Sequence, residues 1–333
     1  MRVNYQQNFS GYKKNNELLH RYGFFALILT SMLLASMLPS LGGSHGIING
    51  NLMIRYFAIP LTYLEAGLWC SPQSLYAALC NIHLLIFVTV FIYILMPLLA
   101  RVGSCLLIYS KVNTWLLKGM EVFYCMPPPF STSVVLTRVA RADLSTSVVT
   151  TIVMHFQGII LSPVLLYFML GASTPPLVIT DIKETVYSTL MPLGIGIGLQ
   201  SFIKDYSTDL DDRTSWIPRG LLLLTAYHWF CDALSADASF LHAVDILLCV
   251  LIACIGQLIV SCVCWVLCSR WLSTGILLAA MFTCTHKSVS LGGWILRGAY
   301  HGSIQGPAVN LPLVILPVAQ LLLGSLIASW LAP

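Results

Sequence analysis

The octapeptide Thr283-Cys284-Thr285-His286-Lys287-Ser288-Val289-Ser290 places a lysine in the middle of an otherwise apolar stretch. An ammonium group at such a position is expensive, and in membrane-embedded chains it marks a functional site by default. Two kinds of chemistry suit it. Lys287 could bind an anionic solute, or it could be a fixed charge standing where a mobile coupling cation would otherwise sit. His286 beside it could exchange a proton near neutral pH. The plainer reading is a lysine that snorkels its head group to an interface. Glu65 and Glu121 are the candidate charge partners, and spacing alone decides neither pairing.

Hydroxyls supply a second constellation. Pro127-Pro128-Pro129 is followed closely by Ser131, Thr132 and Ser133, while Ser147 and Thr151, four residues apart, share one helix face. Clustered neutral oxygens can ligate a hard cation such as Na⁺, here through Ser133, Ser147 and Thr151. Serine and threonine also back-bond to helix carbonyls with no ligand at all. Other chemistries are poorly supplied. The eleven cysteines scatter along apolar segments without paired zinc spacing. There is no His-Glu-x-x-His and no spaced aspartate pair in the apolar segments, so neither an enzyme nor a cofactor is expected.

These residues need a scaffold, and composition says which kind. Hydrophobic residues make up 57% of the 333 and charged residues 9%, against about 25% charged in globular domains. The chain is read as an all-α protein embedded in a lipid bilayer. A formal charge of +4 with no basic run gives no reason to expect nucleic acid. Spanning helices of roughly 20 apolar residues are expected near 22–41, 53–69, 74–100, 112–141, 144–170, 184–203, 217–234, 240–268, 272–297 and 308–331. The first of these is too long for a signal-peptide core and no cleavage site follows it, so no cleavable signal is expected. The polar segment 171–183 divides the ten spans evenly. The domains are therefore 1–21 as a cytoplasmic segment, 22–170 as a first repeat, 171–183 as a linker and 184–333 as a second repeat.

Five spans per half turn the second half over relative to the first, the condition for an inverted repeat. The triple proline and the His-Lys-Ser stretch both fall in the fourth span of their half. No membrane helix runs through three prolines, and irregular backbone at that depth survives only where protein or water covers it. Half-helix ends then point N–H groups at an anion and C=O groups at a cation. Orientation follows from flanking charge. Arg2, Lys13, Lys14, Arg21, Arg138, Arg141, Lys204, Arg213, Arg219 and Arg270 fall on the side of the N-terminus, and Arg55, Arg101, Lys111, Lys183 and Arg297 on the other. Both termini are thus expected in the cytoplasm, as is the aspartate-rich loop 205–212.

The run Asn113-Thr-Trp-Leu-Leu-Lys-Gly-Met-Glu-Val-Phe-Tyr-Cys-Met-Pro-Pro-Pro129, continuing through Ser131-Thr-Ser-Val-Val-Leu-Thr-Arg138, resembles the bile acid:sodium symporter superfamily. Thr285-His-Lys-Ser-Val-Ser-Leu-Gly292 and the closing Leu311-Pro-Leu…Pro317-Val-Ala-Gln320-Leu-Leu-Leu-Gly324 place the likeness in solute carrier family 10, in its cotransporter 7-like orphan branch. The resemblance spans roughly residues 20 to 331. It implies ten helices as two inverted five-helix repeats. The first, second, sixth and seventh form a panel domain. The rest form a core, with the fourth and ninth broken and crossing. Carried over by position, Ser133, Ser147 and Thr151 match hydroxyl ligands of a family cation site. Val134 stands for an asparagine, Phe282 for the shared glutamate and His286 for a glutamine. The resemblance therefore implies loss of the usual sodium coupling, and of bile-acid transport with it.

The expectation is a secondary transporter for a small anionic solute, working by alternating access. Its substrate-binding residues would be Ser131, Thr132, Ser133, His286, Lys287 and Ser288, with coupling to protons or to nothing. Resemblance links the branch to cellular calcium homeostasis, secretory-pathway glycan processing, and endoplasmic reticulum, Golgi and plasma membranes. The alternative is a non-transporting regulator that keeps the fold and acts on calcium-entry proteins.

Overall fold

The computed structural model describes residues 23–43, 49–109, 112–170, 183, 186–203, 216–235, 243–288 and 306–331. Residues 1–21, the aspartate-rich loop, the linker except for Lys183, and the part of the ninth span beyond Ser288 lie outside the described residues. All regular structure among those described is helical. We number the helices α1 (Gly23–Met37), α2 (Gly50–Met53, Ile54–Ala58 and Ile59–Trp69, continuous), α3 (Pro72–Cys80), α4 (Ile82–Leu107), α5 (Thr114–Tyr124), α6 (Phe130–Val139) and α7 (Leu144–Leu170). There follow α8 (Val186–Leu190 and Met191–Ile203, continuous), α9 (Trp216–Ser235), α10 (Ala243–Cys268), α11 (Thr274–Thr285) and α12 (Gly306–Leu331). Four of them, α4, α7, α10 and α12, are each long and apolar enough to cross a membrane.

Proline and asparagine set the departures from the expected spans. The first span ends its main helix at Met37, because Pro39 pushes Leu38 out of helical geometry, and a short turn Pro39–Gly42 follows. The expected span 74–100 is two helices that reach Leu107. Asn81 leaves helical geometry at ψ 71° and caps α4 by accepting from Leu84 N–H at 3.3 Å. Ser71 does the same for α3, accepting from Ser74 N–H at 3.1 Å.

Three helices widen into a π turn, and each does so just before a proline. The turns Ile54–Ala58, Phe91–Leu95 and Val186–Leu190 precede Pro60, Pro97 and Pro192. A proline ring collides with the carbonyl four residues back. Adding one residue to the turn moves that carbonyl away and lets the helix continue. The cost is a carbonyl without a donor, and one of these reappears below.

Glycines let two helix pairs touch backbone to backbone. A Cβ on Gly67 of α2 would lie 2.4 Å from Leu193 O, and one on Gly196 of α8 2.2 Å from Leu64 O. Likewise α5 meets α12 where a Cβ on Gly119 would lie 2.1 Å from Val309 O. The main apolar core is built from α4 to α7 and α9 to α12, with Phe24 and Ile28 of α1. A smaller cluster joins Tyr63, Ala66 and Cys70 of α2 to Val134 of α6, Val148 and Ile152 of α7 and Leu193 of α8.

Candidate functional site

The first break is a problem in backbone accounting. Buried N–H and C=O groups must find partners, and an extended stretch inside an apolar core has no ladder to supply them. Pro127, Pro128 and Pro129 solve half of it, since three prolines bring no N–H groups at all. The carbonyls are met one by one. Met126 O accepts from Lys287 Nζ at 2.9 Å, and Pro127 O from Ser288 N–H at 2.8 Å. Pro128 O lies 3.3 Å from His155 Nδ1, and Phe130 O accepts from Tyr63 OH at 3.2 Å. The His155 ring stacks on Phe130 with centroids 3.7 Å apart. Pro129, extended at ψ 142°, leads into α6 with no side-chain cap on its first turn.

The second break follows α11. His286 caps the helix in an extended conformation. Gln320 of α12 clamps both sides of it. Its Oε1 accepts from Lys287 N–H at 2.9 Å, and its Nε2 donates to Thr285 O at 3.0 Å. His286 Nε2 donates to Gln320 O at 3.0 Å, and its Nδ1 lies 3.1 Å from the Thr285 hydroxyl. Sequence reading singled out His286 for its chemistry; the structure turns its ring into part of the joint with α12. Sequence reading passed over Gln320 as a site residue. Its signal was available, as an amide in an apolar span needs a partner.

Lys287 is 1% exposed and joins three elements. Its ammonium donates to Ile92 O of α4 at 3.2 Å as well as to Met126 O, and lies 6.0 Å from the centroid of the Tyr93 ring. The Ile92 carbonyl is free for a local reason. In the π turn, Met96 N–H bonds to Phe91 O. The donor that would come next is Pro97, which has none. Met126 lies two residues past the end of α5, so its carbonyl sits beside the negative pole of that half-helix. The lysine thus supplies a cation where backbone geometry calls for one.

The proposed carboxylate partners lie elsewhere. Glu121 pairs with Arg101 Nη1 at 3.0 Å, and Glu65 pairs with Arg138 of α6. Among the described residues Lys287 makes no ion pair. The structure therefore brings Lys287 and Ser288 to the first break, seats His286 against α12, and does not bring either glutamate to the lysine.

Two interrupted segments, far apart in sequence, meet inside an apolar helical bundle, joined by the Ser288 N–H to Pro127 O bond and by the Lys287 ammonium on Met126 O. Residues 22–333 match the SBF-like CPA transporter family. The chain belongs to that family. It is a family of membrane transporters and not of enzymes. The chain is 28% identical to sodium/bile acid cotransporter 7 of Rattus norvegicus over 322 residues, 95% of each chain. It is 29% identical to the Xenopus tropicalis protein of that name over 323 residues, covering 95% of this chain and 94% of the relative. It is also 25% identical to an uncharacterized protein of Pseudomonas aeruginosa over 313 residues.

These cotransporter relatives are named for sodium, so the hydroxyl face must be tested as a cation site. Ser147 and Thr151 of α7 are fully buried, and among the described residues neither hydroxyl has a hydrogen-bond partner. Thr132 Oγ1 is also unpartnered. Ser133 is not available in the same way, because its hydroxyl donates to Phe282 O at 3.3 Å. Thr150, between the two α7 residues, meets Thr283 of α11 at 3.2 Å. Phe282, buried to 0% exposure, fills its position with a ring rather than a carboxylate. A hard cation wants about six oxygens and usually an anionic one. Two free hydroxyls beside a phenylalanine do not fit it.

Proposed function

We propose that the chain is a secondary transporter for a small anionic solute, in which Lys287 acts as a tethered cation in place of a coupling ion. The observation that carries this reading is the ammonium itself, 2.9 Å from Met126 O at the end of the first half-helix. A site built for a free cation presents those carbonyls to solvent-borne ions; here a side chain already meets them. The solute then belongs to the opposite pole, the uncapped first turn of α6, where Ser131, Thr132 and Ser133 are buried and the Thr132 hydroxyl is unspent.

The ten-helix arrangement is part of the same proposal. The four long apolar helices fall as the third and fifth spans of each half, and the short half-helices α5 and α11 fall in the fourth. That symmetry supports two inverted five-helix repeats, with α1, α2, α8 and α9 as the panel and the others as the core. Alternating access would rock one against the other. Both termini would face the cytoplasm. Effects on cellular calcium, and residence in endoplasmic reticulum, Golgi or plasma membrane, are proposed as consequences of solute movement there.

The test is uptake by proteoliposomes, with radiolabelled monocarboxylate, dicarboxylate, sulfate and phosphate as probes, with and without Na⁺. One anion class should enter without Na⁺. Lys287→Ala should abolish that entry per unit of folded, incorporated protein, and Lys287→Arg should keep part of it. Uptake that requires Na⁺ and is lost in Ser147→Ala would overturn the tethered-cation reading. In cells, store-operated calcium entry should be rescued by wild type and not by Lys287→Ala.

A further inference from the structure

Three arginines where α6 ends and α9 begins are not absorbed by the transport site. Helix α6 stops in a Schellman turn, with Ala142 N–H donating to Thr137 O and Arg141 N–H to Arg138 O, each at 3.0 Å. That turn needs a residue in the left-handed region, and glycine is the usual occupant because a Cβ is crowded there. Arg141 occupies it instead, at φ 52°, the one non-glycine residue with positive φ among those described. A side chain kept against backbone preference points to a use for the side chain. Arg138, three residues earlier, pairs with Glu65 of α2, its guanidinium 5.7 Å from the Trp69 ring. Arg219 stands in the first turn of α9, over the Trp216 ring at 5.3 Å. Helix α9 packs against α6, and Arg219 is within electrostatic reach of both Arg138 and Arg141. Its Nε is enclosed and has no hydrogen-bond partner.

Plainer explanations cover part of this. Cations suit a helix C-terminus, which accounts for Arg138 and Arg141. Excess positive charge on one side sets orientation. The second accounts for a cation on this side of the protein, but neither explains the local position of Arg219. It lies at the positive pole of its helix, in a first turn without an acidic residue, facing two like charges. The nearby carboxylates are engaged. Glu65 is held by Arg138, and Asp143 caps α7, accepting from Ser145 N–H at 3.1 Å and from the Thr146 hydroxyl at 2.7 Å. Among the described residues, the arrangement offers Arg141 and Arg219 no carboxylate that is not already engaged.

We propose that the seam between α6 and α9 binds a phosphate-bearing anion, held by the guanidinium groups of Arg138, Arg141 and Arg219. Guanidinium forks match phosphate oxygens two at a time, and the positive pole of α9 adds attraction of the same sign. Trp216, 55% exposed, and Trp69 flank the seam as indoles do at a membrane–water boundary. That depth suits a lipid head group, and the same chemistry would take a soluble phosphate. The site is separate from Lys287 and does not depend on what the protein transports.

The test uses the full chain in phosphatidylcholine nanodiscs, with thermal unfolding as the readout, since a ligand of the folded state raises Tm. The probes are inorganic phosphate, a soluble inositol phosphate and a short-chain phosphatidylinositol phosphate, against chloride at equal ionic strength. At least one phosphate probe should raise Tm saturably. A response to the lipid alone identifies a head group, and a response to the soluble probes as well identifies a free ligand. Arg141→Gly is the decisive variant, because glycine suits φ 52° and folding is not at risk. It should raise the Tm of the unliganded protein yet weaken phosphate binding about tenfold, as should Arg219→Gln. The proposal fails if no phosphate probe exceeds chloride, or if Arg141→Gly binds as wild type does.

Discussion

A buried lysine held by two carbonyls is a local balance between desolvation and hydrogen bonding, and its substitutions should separate the two. Lys287→Ala leaves Ile92 O and Met126 O unmet and opens a cavity, so it should destabilise by about 3–5 kcal/mol. Lys287→Met also removes the donors but keeps most of the volume and relieves the buried charge. It should cost less, about 1–3 kcal/mol. Thermal unfolding in detergent checks the order, and equal losses would show that the ammonium adds little beyond its bulk. A neighbour tests the break from its other side. A Cβ on Gly158 would lie 2.6 Å from Pro127 Cβ and 2.8 Å from the Tyr93 hydroxyl. Gly158→Ala should therefore lose about 1–3 kcal/mol by overpacking, and a variant as stable as wild type would mean that the proline run is free to shift. At this scale the sequence was informative about which residues matter and poor about what they touch. Lys287 stood out by its cost in an apolar segment. Its carbonyl partners did not, because a backbone acceptor has no sequence signature. The Ile92 acceptor can be traced to Pro97 only once the π turn is known.

Elements were more legible than contacts. The positions of the helices follow from apolar runs, and both breaks from polar or proline residues within them. Helix subdivision was less legible, since Asn81 and Leu38 divide spans that hydropathy reads as continuous. Helix partners were not legible at all, as close approach depends on which glycine faces which neighbour. Helix α8 carries its own controls for this. Gly194 and Gly196 stand at alternate positions, but a Cβ on Gly196 would meet a neighbouring backbone while, among the described residues, one on Gly194 would have nothing within 4 Å. Gly196→Ala must separate α8 from α2, because Leu64 O belongs to a backbone that cannot rotate away. Its expected cost is about 2 kcal/mol or more. Gly194→Ala should be neutral or slightly stabilising, by up to about 1 kcal/mol, through helix propensity. The two single variants compared by unfolding midpoint decide the matter, and an equal response at both positions would contradict this helix pairing.

For the whole molecule, the transport reading requires that α2 and α6 part at some stage, and one buried ion pair stands between them. The Arg138 and Glu65 side chains are 12% and 6% exposed. The Trp69 ring lies over the guanidinium, and Tyr63 reaches across to Phe130 at the other end of α6. Removing one partner of such a pair leaves a buried charge unanswered, at about 3–5 kcal/mol. Water entering the seam would relieve that charge, so Glu65→Gln should shift the population toward conformers open on this side. The molecule contains its own reporter. Cys70, at the end of α2, is 2% exposed and close enough to feel both Glu65 and Arg138. In Glu65→Gln, a membrane-impermeant maleimide added from the cytoplasmic side should label Cys70 at least about tenfold faster, by peptide-resolved mass spectrometry. Labelling at Cys80, exposed on α3, should not change and so controls for general unfolding. If Cys70 stays protected while Cys80 labels normally, the pair is a static joint, and the opening of this chain must take place along another seam.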